Sequence, residues 1–335
     1  MANLFLSEPD TSSARIGILL LNLGTPEAPT AKAVRPFLRQ FLSDQRVVEL
    51  PRLFWKCLLY GVIAPIRSSK SAQAYQSIWT EAGSPLLTGT RSLTAKMTSL
   101  LPKNTITAYA MTYGKPSIAK ALAEMKKLGV NRILILPLYP QYAASSSGAA
   151  LDQVWRILLQ QRAQMAVRSI TSFADNQGYI LALAHHIQHY WQQYGRGDCL
   201  LMSFHGIPEA QRQAGDPYVT ECTNTAHLLA QALNLQTHEY RLTFQSRFGP
   251  AKWVGPSTQD LLNQLPQQGI KKLDVVCPGF ITDCLETLEE INIRGRQDFL
   301  AHGGTDFNYI TCLNDNEEWL TALQQLILNE LQGWL

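Results

Sequence analysis

Two widely separated stretches of this chain repeat one another, and the repetition limits the fold more than any single motif does. Gly114-Lys115-Pro116-Ser117 precedes a helical pattern that ends at Gly129-Val130, then a basic residue, an apolar run and Pro137. Gly255-Pro256-Ser257 precedes another that ends at Gly269-Ile270, then Lys271-Lys272, an apolar run and Pro278. A second echo joins Leu19–Leu23, closing in Gly24-Thr25-Pro26-Glu27, to Leu200–Phe204, closing in Gly206-Ile207-Pro208-Glu209. Gly and Pro punctuate helix starts in any α/β protein. Here whole strand–helix–strand units recur, which is the usual trace of duplication.

The repeated unit is an α/β one. Apolar runs at Ile16–Leu23, Thr105–Met111, Ile133–Leu138, Val167–Ile170, Cys199–Phe204, Glu239–Thr243 and Leu273–Cys277 read as strands. Helical patterns at Ser117–Leu128, Ala150–Gln161, Gln177–Tyr194, Tyr218–Leu233 and Thr258–Leu265 lie between them. Nearly continuous apolar strands separated by helices belong in parallel sheets covered on both faces. With 335 residues there is room for two domains. The expected division is residues 14–165 with a C-terminal helix at 316–335, and residues 166–315. The two echoes are unequally offset, so the first half carries extra residues between Glu27 and Gly114. The candidate insertion is 47–87, where Leu53–Arg67 forms the most apolar stretch, edged by cations. It suits either a buried helix or a lip over an apolar ligand or membrane surface.

Composition narrows the function. An apolar fraction of 46% with 16% charged residues fits a packed protein rather than a disordered one. A net charge of +3 without a long basic run gives no support to nucleic-acid binding. The start lacks the basic and apolar regions of a secretory signal. No apolar run reaches the roughly 18 residues a spanning helix needs. The six cysteines are scattered without a CxxC pair and read as reduced thiols of a cytoplasmic protein.

Ligands of parallel α/β sheets sit at the carboxyl ends of strands. His205 ends one strand, where an imidazole can act as base or metal ligand, or simply be a satisfied structural residue. After the strand at 273–277 come Asp283, Glu286 and Glu290, at i, i+3 and i+7, which an α-helix would stack on one face. Such a stack could hold a divalent cation or pass protons; acidic residues in a first helical turn also simply suit the helix dipole. His185, His186 and His189 lack a HExxH pattern and read as an ordinary helix face. The serine-rich loop at 140–148 could bind an anion at a helix start or be a capped loop.

Four segments, Leu21-Asn22-Leu23-Gly24-Thr25-Pro26, Tyr139-Pro140-Gln141-Tyr142, Ser203-Phe204-His205-Gly206-Ile207-Pro208 and Phe280-Ile281-Thr282-Asp283-Cys284-Leu285-Glu286, occur in ferrochelatase order and spacing. Gly83-Ser84-Pro85-Leu86 and Tyr113-Gly114-Lys115-Pro116 fit as well. The chain therefore resembles the ferrochelatases from about Ile16 to Leu328. The resemblance implies the chelatase fold, two similar Rossmann-like domains with a porphyrin cleft between them. It implies catalytic roles and iron contact for His205 and Glu286, and a proton or metal relay through Asp283 and Glu290. Leu23, Tyr75, Ser84, Thr112, Tyr113, Tyr139 and Phe280 fall on porphyrin-binding positions.

Some positions depart from the family. Thr112 stands where some relatives place an arginine near a propionate, and Cys284 replaces a histidine beside the catalytic glutamate. Ala144 stands where animal enzymes place a cluster cysteine, and no cysteine follows Cys312, so no iron–sulfur cluster is expected. Leu23 replaces a tyrosine common in coproporphyrin-using relatives, which favours protoporphyrin IX. The expected partners are then protoporphyrin IX and Fe2+, both substrates, with no permanent cofactor and no nucleic acid, and a peripheral membrane contact through 53–66, with Phe54, Trp55 and Leu58 prominent. The rivals are a chelatase for another metal or tetrapyrrole, such as cobalt or coproporphyrin, and a non-catalytic porphyrin- or heme-binding protein.

Overall fold

The computed structural model describes residues 15–335. Its first sheet is built from β1 (Arg15–Asn22), β2 (Thr105–Met111), β3 (Val130–Pro137) and β4 (Ala166–Ser169), in the order β2-β1-β3-β4. The helices threaded among these strands are α1 (Ala31–Leu42), α2 (Arg52–Leu58), α3 (Ala64–Gln76), α4 (Pro85–Leu100), α5 (Ile118–Lys127) and α6 (Ala149–Leu158). After α7 (Gln177–Tyr194) the second sheet holds β5 (Cys199–His205), β6 (Tyr240–Gln245), β7 (Lys272–Val276) and β8 (Asp306–Tyr309), in the order β6-β5-β7-β8. Its helices are α8 (Glu209–Gln213), α9 (Tyr218–Ala232), α10 (Thr258–Gln264) and α11 (Arg296–Ala301), and α12 (Glu317–Glu330) follows. All strand pairs are parallel. The fold is α/β with two equivalent parallel sheets.

The duplication extends to single hydrogen bonds. Met111 N–H donates to Pro116 O at 2.8 Å, and Phe244 N–H donates to Pro256 O at 2.8 Å. Ser117 caps α5 by accepting from Lys120 N–H, and Ser257 caps α10 by accepting from Asp260 N–H. Each serine satisfies one of the donors that a helix start leaves unpaired.

Both faces of β1 are buried, which is why its sequence is an unbroken apolar run. One face, with Ile16, Ile18 and Leu20, joins Leu200, Met202 and Phe204 of β5 in a single apolar cluster with α4, α7, α9 and α12. The other face packs on α5 and α6, and the outer face of the second sheet packs on α10 and α11. Cutting Leu20 or Met202 to alanine in such a core costs about 2–5 kcal/mol.

One boundary needs correction. β4 pairs with β3, so the strand at 166–169 belongs to the first sheet and a division after residue 165 falls too early. The insertion is largely helical: α2, a π-helical turn at Leu59–Ile63 and α3 run on continuously from Arg52 to Gln76. Within it Leu53 is 81% exposed, Phe54 66% and Ile66 70%, so this face is not core. Trp55 is turned inward instead, its Nε1–H donating to Leu42 O at 2.6 Å, and Leu58 is half-buried.

Candidate active site

A cavity lies where the carboxyl ends of strands from both sheets approach one another. The segment after β1 supplies Leu23, Gly24 and Thr25; the segment after β3 supplies Leu138 and Tyr139. The segment after β7 supplies Gly279 to Thr282 and Cys284 to Glu286, and Tyr75, Ser84 and Leu86 close it from α3 and the start of α4. The backbone can turn this tightly after β1 because Gly24 has φ +110, where any side chain would strike Tyr113 O. The cavity measures about 40 Å³, well under the roughly 300–1,000 Å³ of small-molecule sites. A planar tetrapyrrole is larger than this enclosed space.

Glu286 opens a π-helix, Glu286–Gly295, and its side chain reaches this cavity half-buried. Burial first, and then the Glu286 carboxylate, pushes the Tyr75 hydroxyl well above its ordinary range. Burial and then Glu286 do the same to the Cys284 thiol, which stays neutral beside the carboxylate. Tyr139 is raised too, by burial above all, with Glu286 adding to it. One negative charge is thus held among neutral, buried hydroxyl and thiol groups. Thr25 Oγ1 and the Tyr139 hydroxyl are buried in the same region, with Tyr75 and Thr112 respectively as their polar neighbours and no well-formed hydrogen bond to either.

The expected acidic stack does not form. Asp283 precedes the helix, and its carboxylate is enclosed by Tyr309 O–H at 2.5 Å, Asn314 Nδ2 at 2.8 Å and Thr287 Oγ1 at 3.2 Å. Glu290 accepts from the Ser246 main-chain N–H at 2.8 Å and from its hydroxyl. Both carboxylates accept hydrogen bonds from this chain's own donors, Asp283 from Tyr309, Asn314 and Thr287 and Glu290 from Ser246.

Other expected positions divide. Leu23, Tyr75, Ser84, Tyr139, Phe280 and Glu286 share the cavity wall. Thr112 and Tyr113 do not line it: Thr112 is bound to Asn22 O, and the Tyr113 hydroxyl donates to Asp44 at 3.1 Å. His205 stands at the end of β5 and is not part of the wall either, although Phe204 lies against Gly279, which is. The His205 Nδ1 lies 2.7 Å from Gly206 O, so Nδ1–H donates there and Nε2 is left free to accept a proton. Of the weaker candidates, His185 pairs with Glu318 and His186 with Thr311 O. In the 140–148 loop two amides are taken by carboxylates of this chain, Tyr142 N–H by Glu221 and Ala144 N–H by Asp216.

The sequence reading missed Asn22, whose buried Nδ2 donates to Thr90 and Thr282, both at 3.0 Å. That pair of bonds joins β1, α4 and the Phe280–Glu286 segment. Its place directly after an apolar run was the available signal.

Residues 15–331 match the protein family described as Ferrochelatase. A curated relative named Ferrochelatase from Neisseria gonorrhoeae (strain ATCC 700825 / FA 1090) is 54% identical over 98% of this chain and 99% of its own length. Another of that name from Chromobacterium violaceum is 49% identical over 98% and 93%. Among solved structures, SirB from Bacillus subtilis with Fe3+ aligns with a TM-score of 0.58 at 12% identity, covering 94% of this chain and 95% of that one. CbiX, titled the terminal enzyme for biosynthesis of siroheme in denitrifying bacteria, aligns at 0.51 and 14%, covering 93% and 98%. At such identities the two structures speak for the fold alone.

Proposed function

This chain belongs to the ferrochelatase family, and from that premise we propose that it inserts Fe2+ into protoporphyrin IX, forming protoheme and releasing two protons. The observation that carries the reading is the Glu286 carboxylate, lodged among Tyr75, Tyr139 and Cys284 in a cavity between the two sheets. Insertion needs two pyrrole N–H protons to leave and a metal to shed water and reach the ring centre. In this reading His205, with Nε2 free, accepts pyrrole protons from one side. Glu286 faces the ring from another side, where its charge draws the metal or takes up a proton; neutral imidazole and carboxylate both suit Fe2+. The Thr25 and Tyr139 hydroxyls lie buried in the same region. A pocket that closes on the macrocycle and bends it exposes its nitrogens, so binding energy goes into distortion. Fe2+ enters as substrate, and the reading needs no resident cofactor and no iron–sulfur cluster. The exposed face of α2 and α3 is a peripheral membrane contact from which a poorly soluble porphyrin arrives.

The test is anaerobic insertion of Fe2+, Zn2+ and Co2+ into protoporphyrin IX by the purified protein, followed by absorbance. Glu286→Gln removes the charge with little change of shape and should stop turnover. His205→Ala should abolish insertion while porphyrin binding persists, because apolar area supplies most of the affinity. Near-normal turnover in His205→Ala would remove the imidazole from the mechanism. A Glu286→Gln variant altered only in metal KM would make Glu286 a capture group.

A further inference from the structure

We infer that Gln245 is a positioning residue that holds His205 and Glu286 in one fixed relation, an inference resting on the catalytic reading of those two groups. Gln245 ends β6 and stands opposite His205 in the parallel ladder, 3% exposed. Its main-chain oxygen accepts from Gly206 N–H at 2.8 Å, which fixes the residue that in turn accepts from His205 Nδ1–H. A side chain at position 206 would collide with that same oxygen, so glycine is what lets the end of β5 come this close. The Gln245 side chain reaches the other group: Nε2 donates to Glu286 O at 2.8 Å. Oε1 accepts from Ser203 Oγ at 2.7 Å. A carbonyl can only accept, so the amide has one possible orientation here.

The amide is also backed from behind. Ser203 gives its one hydroxyl proton to Oε1, so Thr258 is the donor behind it, with Ser203 Oγ and Thr243 Oγ1 both 2.8 Å away as acceptors of its single proton. All three side chains are buried, and away from water each of these bonds is costly to lose. One residue thus braces the backbone beside one proposed proton acceptor and the backbone of the other. Neither Glu286 nor His205 lies in a regular α-helix or strand interior that would hold it unaided. Catalysis that depends on near-attack geometry loses about 100-fold for a displacement of roughly 1 Å, and supporting hydrogen bonds are what keep a site within that tolerance.

Gln245→Met keeps the length of the side chain and removes its hydrogen bonds. The variant is compared with wild type for Zn2+ and Fe2+ insertion into protoporphyrin IX, for porphyrin affinity by fluorescence quenching, and for amide hydrogen exchange. The expected result is a fall in kcat of about 10–100-fold with porphyrin Kd within about twofold. Exchange should speed up more than elsewhere in the second sheet at 286–291, where Glu286 O loses its donor. The same holds at Gly206, whose bond to the Gln245 main-chain oxygen remains but rests on a loosened strand end, and at the adjoining Ile207. Wild-type kcat per folded molecule, or faster exchange spread evenly over that sheet, overturns the inference. Should Gln245→Met fail to fold, Ser203→Ala loosens the same amide from one side. It should produce the same exchange signature with a smaller fall in kcat, and unchanged exchange there overturns the inference as well. Absence of insertion by the wild-type protein would sink the functional reading, while the exchange signature still decides whether Gln245 braces both segments.

Discussion

Charge on a side chain and availability for chemistry separate at this site. Asp283 is 8% exposed and surrounded by donors, with Tyr309 and Asn314 reaching it from 26 and 31 residues away. Asn314 does more than donate: its Oδ1 accepts from Asp283 N–H at 2.9 Å, and its backbone sits at φ +50. It therefore pins the segment that leads into Glu286. Replacing Asn314 by Gly keeps that conformation and removes the bonds, which should cost about 1.5–3 kcal/mol for a hydrogen bond to a charged group. Asn314→Ala should cost about 1–2 kcal/mol more, because alanine resists the left-handed region. Urea unfolding of both variants checks the order, and equal costs would remove the backbone from the argument. His205 and Glu286 were legible as candidates because they follow apolar runs. The fate of Asp283 and Glu290 was not, because the groups that occupy them, Tyr309, Asn314 and Ser246, are brought in by other strands.

Seven of the eight strands among the described residues could be read as apolar runs, the half-exposed edge strands β2, β4 and β6 included, and the eighth, β8, could not. β1, β3, β5 and β7 are runs of buried residues, whereas β8 alternates exposed and buried over four residues at the sheet edge and was missed. The π-helix at 286–295 was read as an α-helix, since spacing by three and four does not reveal the wider turn. The approach to α12 offers a test at this scale. Asp315 accepts from Ser92 Oγ at 2.5 Å and pairs with Lys96 Nζ at 2.8 Å, tying α4 to the start of α12. Lys96 and then Ser92 hold its carboxyl below the ordinary value. A depressed acid stabilises the fold above its unfolded pKa of about 3.9, and that contribution disappears as pH falls through the lower folded value. Asp315→Asn should therefore cost about 0.5–1 kcal/mol near pH 7, given how exposed the pair is. Its denaturation midpoint should converge on that of wild type in acid. A deficit that persists unchanged at low pH would mean shape, not charge, matters there.

At the scale of the whole molecule, duplication explains the two sheets, and the departure from duplication explains the cleft. In the second half α8 and α9 connect β5 to β6, while in the first half α1 to α4 connect β1 to β2. The surplus is placed over the site: Tyr75 and Ile78 near the end of this helical run pack with Leu285 and Leu288 beside Glu286. That the surplus exists could be read from the unequal offsets of the echoes; which of its faces meets the π-helix could not, because only the docking of the halves decides it. The run exposes Leu53, Phe54, Tyr60, Val62 and Ile66 to solvent, with Arg52, Lys56 and Lys70 on the same helices. Apolar side chains flanked by cations suit the interface of an anionic bilayer. Burying Leu53, Phe54 and Ile66 in lipid would contribute about 1.5–3 kcal/mol each. Serine at all three positions should lower partition onto anionic phospholipid vesicles by about 100-fold or more and raise the KM for vesicle-borne protoporphyrin IX. The thermal midpoint should hardly move, since these side chains are exposed in the folded protein already. Trp55→Ser makes the contrast, because that indole is anchored to α1 and its loss should lower stability first. Undiminished vesicle partition in the triple variant would refute the membrane contact, and a large loss of stability there would make the face part of the core.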